Sequence, residues 1–155
     1  NEVAAWLEQL QASDAKTAGL ADDAIYALSC SGPALGRPLV DTITGSKIKN
    51  LKELRPGSSG RSEIRILFVF DPWRSAILLL AGDKAGKWSR WYAEAIPRAE
   101  HLYEIYLKER AGRRLRSEQL HQVGPGRLHR AGRRGREGRA AAQGVDGAAE
   151  RVPAR

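Results

Sequence analysis

The sequence predicts an α+β domain, in which an antiparallel β-meander is covered on one face by an N-terminal helical hairpin and is followed by a C-terminal helix. Three observations lead there. Between residues 50 and 81, apolar runs alternate with turn-forming clusters, which is the pattern of strands joined by tight loops. Ahead of them, apolar residues recur at helical spacing in two blocks separated by a short polar break. Behind them, helical spacing returns from residue 90 onward.

Val3, Trp6, Leu7 and Leu10 fall at i, i+3, i+4 and i+7, so Glu2 to Leu10 reads as an amphipathic helix that Asn1 can cap. Ala18, Ala21, Ile25 and Leu28 repeat the pattern behind Ser13 or Asp14 as N-cap, and this second helix should stop near Gly32-Pro33. Residues 32–49 are too rich in Gly and Pro for a long helix, although Leu39 to Ile43 can form a short extended segment.

The meander begins with Asn50 to Arg55 and turns through Pro56-Gly57-Ser58-Ser59-Gly60. It continues from Arg61 to Phe70, turns again at Asp71-Pro72-Trp73-Arg74, and ends with Ser75 to Ala81. In the second run the period of two puts Ile64, Ile66, Phe68 and Phe70 on one face and Arg61, Glu63 and Arg65 on the other. One face is expected to feed a core and the other to present charge. After a loop at residues 82–88, a third helix is expected from Arg90 to Glu109, with its regular part starting just before Pro97.

The net charge of +8 is unevenly placed. Residues 1–110 hold 15 basic and 14 acidic side chains, whereas residues 111–155 hold 11 Arg against 4 acids. The high isoelectric point therefore belongs mainly to the tail, and the informative charge is the 11 basic against 5 acidic groups between residues 37 and 90. Within the tail, 27 of 45 residues are Arg, Gly or Ala, and every Lys and aromatic residue precedes it. Such a composition reads either as a disordered basic tail or as frame-shifted coding sequence, so the domain is expected to occupy residues 1–110 and the tail residues 111–155. The single Cys30 excludes an internal disulfide and a cysteine metal cluster, and reads as a small residue at a helix end. No apolar run approaches the roughly 18–20 residues of a membrane helix, and no leader pattern opens the chain, so a cytoplasmic location is expected.

The string LKELRPGSSGRSEIRILFVFDP, followed by ILLLAGDKAGKWSRWYAEAIPRAEHLYEIYL, resembles the phage-derived branch of the RelE/HigB toxin superfamily over about residues 1–109. The resemblance implies a RelE-like fold and a type II toxin that cleaves mRNA at the ribosome and so inhibits translation. It also implies a cognate HigA-like antitoxin of the helix-turn-helix type, with mRNA and the ribosome as further partners and no metal or small-molecule cofactor. Relatives open with a β-strand ahead of the first helix, whereas this chain starts at the helix. The strand that would neighbour it is therefore expected to lack a partner.

RNA cleavage requires activation of a 2′-hydroxyl, stabilisation of a phosphorane and protonation of a leaving oxygen. Arg61 and Arg65 on one strand, with Arg55 on the next, can converge on one phosphate. Solvent-facing charge paired with Glu53 and Glu63 is the plainer account. His101 lies in the last helix, and His121 and His129 lie in the tail, so acid–base work falls to Lys52, Lys84, Glu63 or Tyr92. Lys47, Lys49 and Lys52 can contact phosphates. Lys87, Trp88 and Arg90 join Lys84, Trp91 and Tyr92 in a mixture of cations and aromatics suited to single-stranded bases, although Trp88 or Trp91 is also expected to anchor the third helix. Two other outcomes are open: a ParE-like toxin that acts on DNA gyrase without nuclease activity, because fold does not fix activity, and an inactive pseudogene product.

Overall fold

The computed structural model describes residues 1–122, and the expectations for residues 123–155 lie outside this range. Two helices open the chain, α1 (Glu2–Ser13) and α2 (Ala15–Ser31), with Asn1 capping the first through Val3 N–H at 2.9 Å. Asp14 is both the end of α1 and the cap of α2. Its N–H donates to Leu10 O at 2.7 Å, and its carboxylate accepts from the Thr17 N–H and hydroxyl at 3.1 and 2.6 Å. A short 3-10 turn at Gly32–Ala34 follows. The chain then forms β1 (Val40–Thr42), β2 (Lys52–Leu54), β3 (Ile64–Phe70) and β4 (Ala76–Asp83), and closes with α3 (Trp88–Gln122).

The strands form one antiparallel sheet in the order β1-β2-β3-β4, so each hairpin pairs with its neighbour in sequence. Among the described residues, the outer edge of β4 has no strand beside it, and α1 packs against this strand. The expected Leu39–Ile43 segment is β1, which extends the three-stranded meander by one short strand.

The parity of β3 holds on the helical-hairpin side. Ile64, Ile66 and Phe68 are fully buried against Val3, Ala24, Leu28, Val40 and Leu54, with Trp6, Leu7, Ile25 and Phe70 packed around them. On the other side the expectation of a charged face needs correction. Leu67 and Val69 alternate with Arg65, and α3 covers them with Ala95 and Ala99, aided by Trp91, Ile96 and Leu102. The sheet is thus a middle layer with a core on each face, and only the Arg65 end of the outer face remains polar.

A bulge interrupts the β3–β4 ladder. Leu67 pairs with Leu80 whereas Phe68 pairs with Leu78, which leaves Leu79 as the extra residue. Leu79 and Leu80 both join the core under α3.

The third helix also differs from expectation. It begins at Trp88 and continues without a break to Gln122, roughly 52 Å at 1.5 Å per residue, so Pro97 lies inside it. A proline there removes one N–H donor to Ala93. The flanking Ala95 and Ala99 are buried against the sheet. The helix runs through residue 110, where the tail was expected to begin, and Arg113 to His121 are exposed along it.

A buried carboxylate pins the far end of the sheet to α3. Asp71 Oδ1 accepts the N–H groups of Trp73 and Ser75 at 2.9 and 2.8 Å, closing the β3–β4 turn. Its Oδ2 accepts from the Tyr106 hydroxyl and Arg110 Nη1 at 2.9 and 2.8 Å, and the Arg110 guanidinium stacks 3.7 Å over the Trp73 ring. Burial pushes the Asp71 carboxyl up, but the N–H of Ser75, the Tyr106 hydroxyl, the N–H of Trp73 and the Arg110 charge outweigh it and hold the group below the usual carboxylate range.

Candidate active site

At the opposite end of the sheet, four elements deliver charged and aromatic side chains to one spot. Strand β2 contributes Glu53, with Arg55 just beyond it. Strand β3 contributes Arg65, the turn after β4 contributes Lys84, and the first turns of α3 contribute Trp88 and Tyr92. Local chemistry fixes the turn. Asp83 Oδ1 accepts from the N–H groups of Glu63 and Ala85, both at 2.9 Å, and Lys84 N–H donates to Glu63 O at 3.0 Å. Gly86 takes φ 70°, a left-handed conformation that suits a residue without Cβ, and Trp91 N–H then joins α3 to Lys87 O.

Gly82 sets how closely α3 approaches. A Cβ there would lie 2.6 Å from Trp91 Nε1, so the missing side chain is what lets the indole rest on β4. Trp91 in turn meets the Tyr92 ring edge-on, with centroids 5.0 Å apart, and directs the phenol over the sheet.

Glu53 is the centre of the arrangement and is only 4% exposed. Its Oε2 accepts the Tyr92 hydroxyl at 2.6 Å, while Arg55 Nε lies 3.5 Å from Oε1 and Arg65 Nε 3.9 Å from Oε2. Arg55 also faces Asp41 at 3.6 Å, and Asp41 pairs with Arg37 at 2.9 Å, so a line of alternating charge leads in from β1. Arg65 donates through Nη1 to Ile64 O at 2.7 Å.

Lys84 is 1% exposed, with its ammonium 3.3 Å above the Trp88 ring and 3.9 Å from Glu63 Oε2. Burial, and then the charge of Arg65, pull its pKa down. The Tyr92 phenol is pushed up to about 12 by burial and by its hydrogen bond to Glu53, so it stays a neutral donor at physiological pH. Among the described residues, the buried side-chain polar atoms left without a hydrogen bond are Ser62 Oγ, Glu63 Oε2 and Arg65 Nε. All three sit at the start of β3, and the two charged ones see their partners only at ion-pair distance.

Of the sequence-predicted residues, Arg55, Arg65, Lys84, Tyr92 and Trp88 come together here. Arg61 does not: it lies exposed ahead of β3, and no ion pair links it to this cluster among the described residues. Lys87 and Arg90 are exposed on the rim, where Arg90 pairs with Glu94 at 3.1 Å. Lys52 faces the other way and donates to Thr42 Oγ1 at 3.2 Å. Lys47 and Lys49 line a separate open cleft of about 460 Å³ with Phe70, Pro72 and Tyr103, in a loop held by Glu100 through Lys47 N–H at 2.7 Å. The anchor of α3 is Trp91, whereas Trp88 is 54% exposed. Sequence reasoning took Glu53 for a surface partner of arginines. The one available signal was a carboxylate on the strand face it shares with Leu51.

The arrangement can hold an anion. Three cations surround two carboxylates, the Tyr92 phenol is bonded to one of these, and an exposed indole flanks the opening. Among the described residues, no group of three or more His, Cys, Asp or Glu is placed to hold a metal, and no helix is long and apolar enough to cross a membrane.

Comparison with known proteins bears on the same stretch. The family described as "Phage derived protein Gp49-like (DUF891)" matches residues 6–104, which include every residue of this site. The chain is 54% identical over 107 residues to the Mycobacterium tuberculosis protein named "Putative toxin HigB2", covering 69% of this chain and 52% of the relative. It is 53% identical over 89 residues to "Putative toxin HigB3" of the same organism, covering 57% of this chain and 75% of that relative. The chain thus spans about half the length of the first relative and three quarters of the second. No solved structure matches. With the family match spanning the helical hairpin, the sheet and the sheet-covering part of α3, the chain belongs to the phage-derived Gp49-like family, a HigB-like branch of the RelE superfamily.

Proposed function

We propose that this chain is the toxin of a type II toxin–antitoxin pair and that it inhibits translation in the cytoplasm by cutting mRNA on the ribosome. The names of its two relatives support the toxin reading. The observation that carries the nuclease reading is the convergence of Arg55, Arg65 and Lys84 around Glu53 and Glu63, with Arg65 Nε and Glu63 Oε2 buried and without hydrogen bonds. Buried polar atoms are nearly always satisfied, so two charged side chains left unsatisfied beside Lys84 support a place for a ligand. The cations there make that ligand a phosphate.

In this reading Arg55 and Arg65 stabilise the charge that builds on the phosphorane. Lys84, drawn toward neutrality by burial, exchanges a proton with the reacting oxygens, and the Tyr92 phenol, whose one hydrogen goes to Glu53, keeps its oxygen free to accept from the attacking 2′-hydroxyl. Trp88 stacks a neighbouring base. The partners are then mRNA, the ribosome and a cognate HigA-like antitoxin.

The test is induced expression of wild type, Arg65→Ala and Arg61→Ala, with mRNA cleavage on polysomes and melting temperature measured together. Arg65→Ala is expected to lose on the order of 100- to 1,000-fold in cleavage. Arg61→Ala, exposed and outside the cluster, should keep both cleavage and stability. DNA damage with intact mRNA would overturn the nuclease reading in favour of action on gyrase.

A further inference from the structure

We propose that Glu53 is the resident anion of this site and its positioning residue: in the free protein its carboxylate holds Arg55, Arg65 and Tyr92 in the arrangement that a substrate phosphate takes over. The inference rests on the reading of this site as a phosphate seat.

The geometry is specific. Glu53 sits in the middle of β2, opposite Leu67 in the ladder, on the face that α3 covers. A buried carboxylate is costly unless paired. Its partners come from three places in the chain: the residue two positions on, the adjacent strand, and a helix 39 residues later. Were stability alone at stake, an apolar side chain would fill this place beside Leu51 and Leu67 with no charge to neutralise.

The quality of the contacts differs in a telling way. The Tyr92 hydroxyl makes a full hydrogen bond at 2.6 Å, whereas Arg55 and Arg65 stand off at 3.5 and 3.9 Å. Arg65 Nε keeps its hydrogen uncommitted. Glu53 therefore fixes where the phenol points and neutralises the guanidinium groups without saturating them. An arriving phosphate can draw the buried, uncommitted N–H of Arg65 out to itself while the carboxylate keeps Tyr92 aimed. The same negative charge opposes that phosphate, so Glu53 should weaken binding and raise turnover.

The test separates those two effects. Binding is measured with a single-stranded RNA oligonucleotide carrying a 2′-deoxy substitution that cannot be cut, and turnover with mRNA on programmed ribosomes. Glu53→Gln is expected to bind the oligonucleotide on the order of tenfold more tightly, because a like charge a few ångströms from the phosphate has gone. It should also cleave at least tenfold more slowly, because Tyr92 loses its orienting anion. Glu53→Asp keeps the charge but not the reach, so it should bind like wild type and cleave slowly. Tyr92→Phe should do the same. If a Glu53→Gln protein with a wild-type melting temperature bound no more tightly, or cleaved at the wild-type rate, the inference would fall. Should Glu53→Gln not fold, Glu53→Asp and Tyr92→Phe decide the matter, and wild-type cleavage by both would overturn it. Tighter binding by Glu53→Gln, with no cleavage by any form of the protein, would sink the nuclease reading and leave the resident anion in place.

Discussion

Replacing Asp71 by Ala should melt the connection between the β3–β4 turn and α3. The carboxylate accepts four hydrogen bonds: two from turn amides at 2.9 and 2.8 Å, one from Tyr106 at 2.9 Å and one from Arg110 at 2.8 Å. Its side chain is fully buried, while that of Arg110 is 37% exposed. A hydrogen bond to a charged group is worth roughly 1.5–3 kcal/mol, but bonds sharing one acceptor are not additive. The Arg110 contribution is discounted for solvent to about 0.5 kcal/mol. A loss of about 3–4 kcal/mol follows, which at this chain length is a fall of roughly 10–15 °C in melting temperature. Asp71→Asn keeps an acceptor for the two turn amides and should lose about 1–2 kcal/mol.

The acid side gives a second check. The carboxyl is held below its ordinary value in the folded state, so its contribution is complete above the unfolded value near pH 4 and disappears as pH falls through the lower folded value. The gap between wild type and Asp71→Asn should therefore close in strong acid. Thermal melts followed by circular dichroism from neutral to acid pH would measure both effects. An Asp71→Ala protein melting within about 3 °C of wild type would refute the reasoning, since a drop that small is on the order of 1 kcal/mol.

Two further outcomes are expected. Gly82→Ala forces the Trp91 indole off β4, because the new Cβ would lie 2.6 Å from Nε1; an overpacking loss of about 1–3 kcal/mol should appear in denaturant titrations, and under the proposed nuclease function mRNA cleavage should fall in parallel as Tyr92 moves. Tyr92 titrates at about 12 when folded against 10.0 when exposed, so between those values the unfolded chain releases a proton that the folded one keeps, and stability falls as pH rises. Tyr92→Phe removes this contribution, and its melting temperature should decline less steeply than wild type above about pH 10; parallel curves would count against the buried phenol.

Much of this architecture was legible in the sequence because its signals are local. The parity of Ile64, Ile66 and Phe68, the helical spacing of α1 and α2, and the Asp14 cap each depend on residues a few positions apart. The second core was harder to read. Leu67 and Val69 share a face with Arg65, and whether that face is wet or covered depends on α3, whose true start was hidden by Pro97. Glu53 was misjudged for the same reason, and the turn residue Asp71 gave no local sign of its partners on α3. A carboxylate in a strand or turn looks solvent-facing until Tyr92 or Tyr106, 39 and 35 residues later, closes over it. Arg61 failed in the opposite way, since the strand period was carried back past Ile64 into residues that are not strand.

The bulge at Leu79 has a bearing on how this protein can change its length. Both ends of β4 are tethered, one by the Asp71 turn and the other by the Asp83 turn, and the ladder between them holds one residue more than pairing with β3 requires. That surplus is slack. Removing Leu79 would leave Phe68 opposite Leu78 and Leu67 opposite Leu80, so Gly82 would still meet Trp91 and Lys84 would still reach the site. Adding a second residue has no such outlet: it would turn every side chain from that point onward to the opposite face, placing Gly82 toward the helical hairpin. The strand is thus buffered against shortening but not against lengthening, and a natural or engineered deletion within 78–80 would cost local twist before it cost the site.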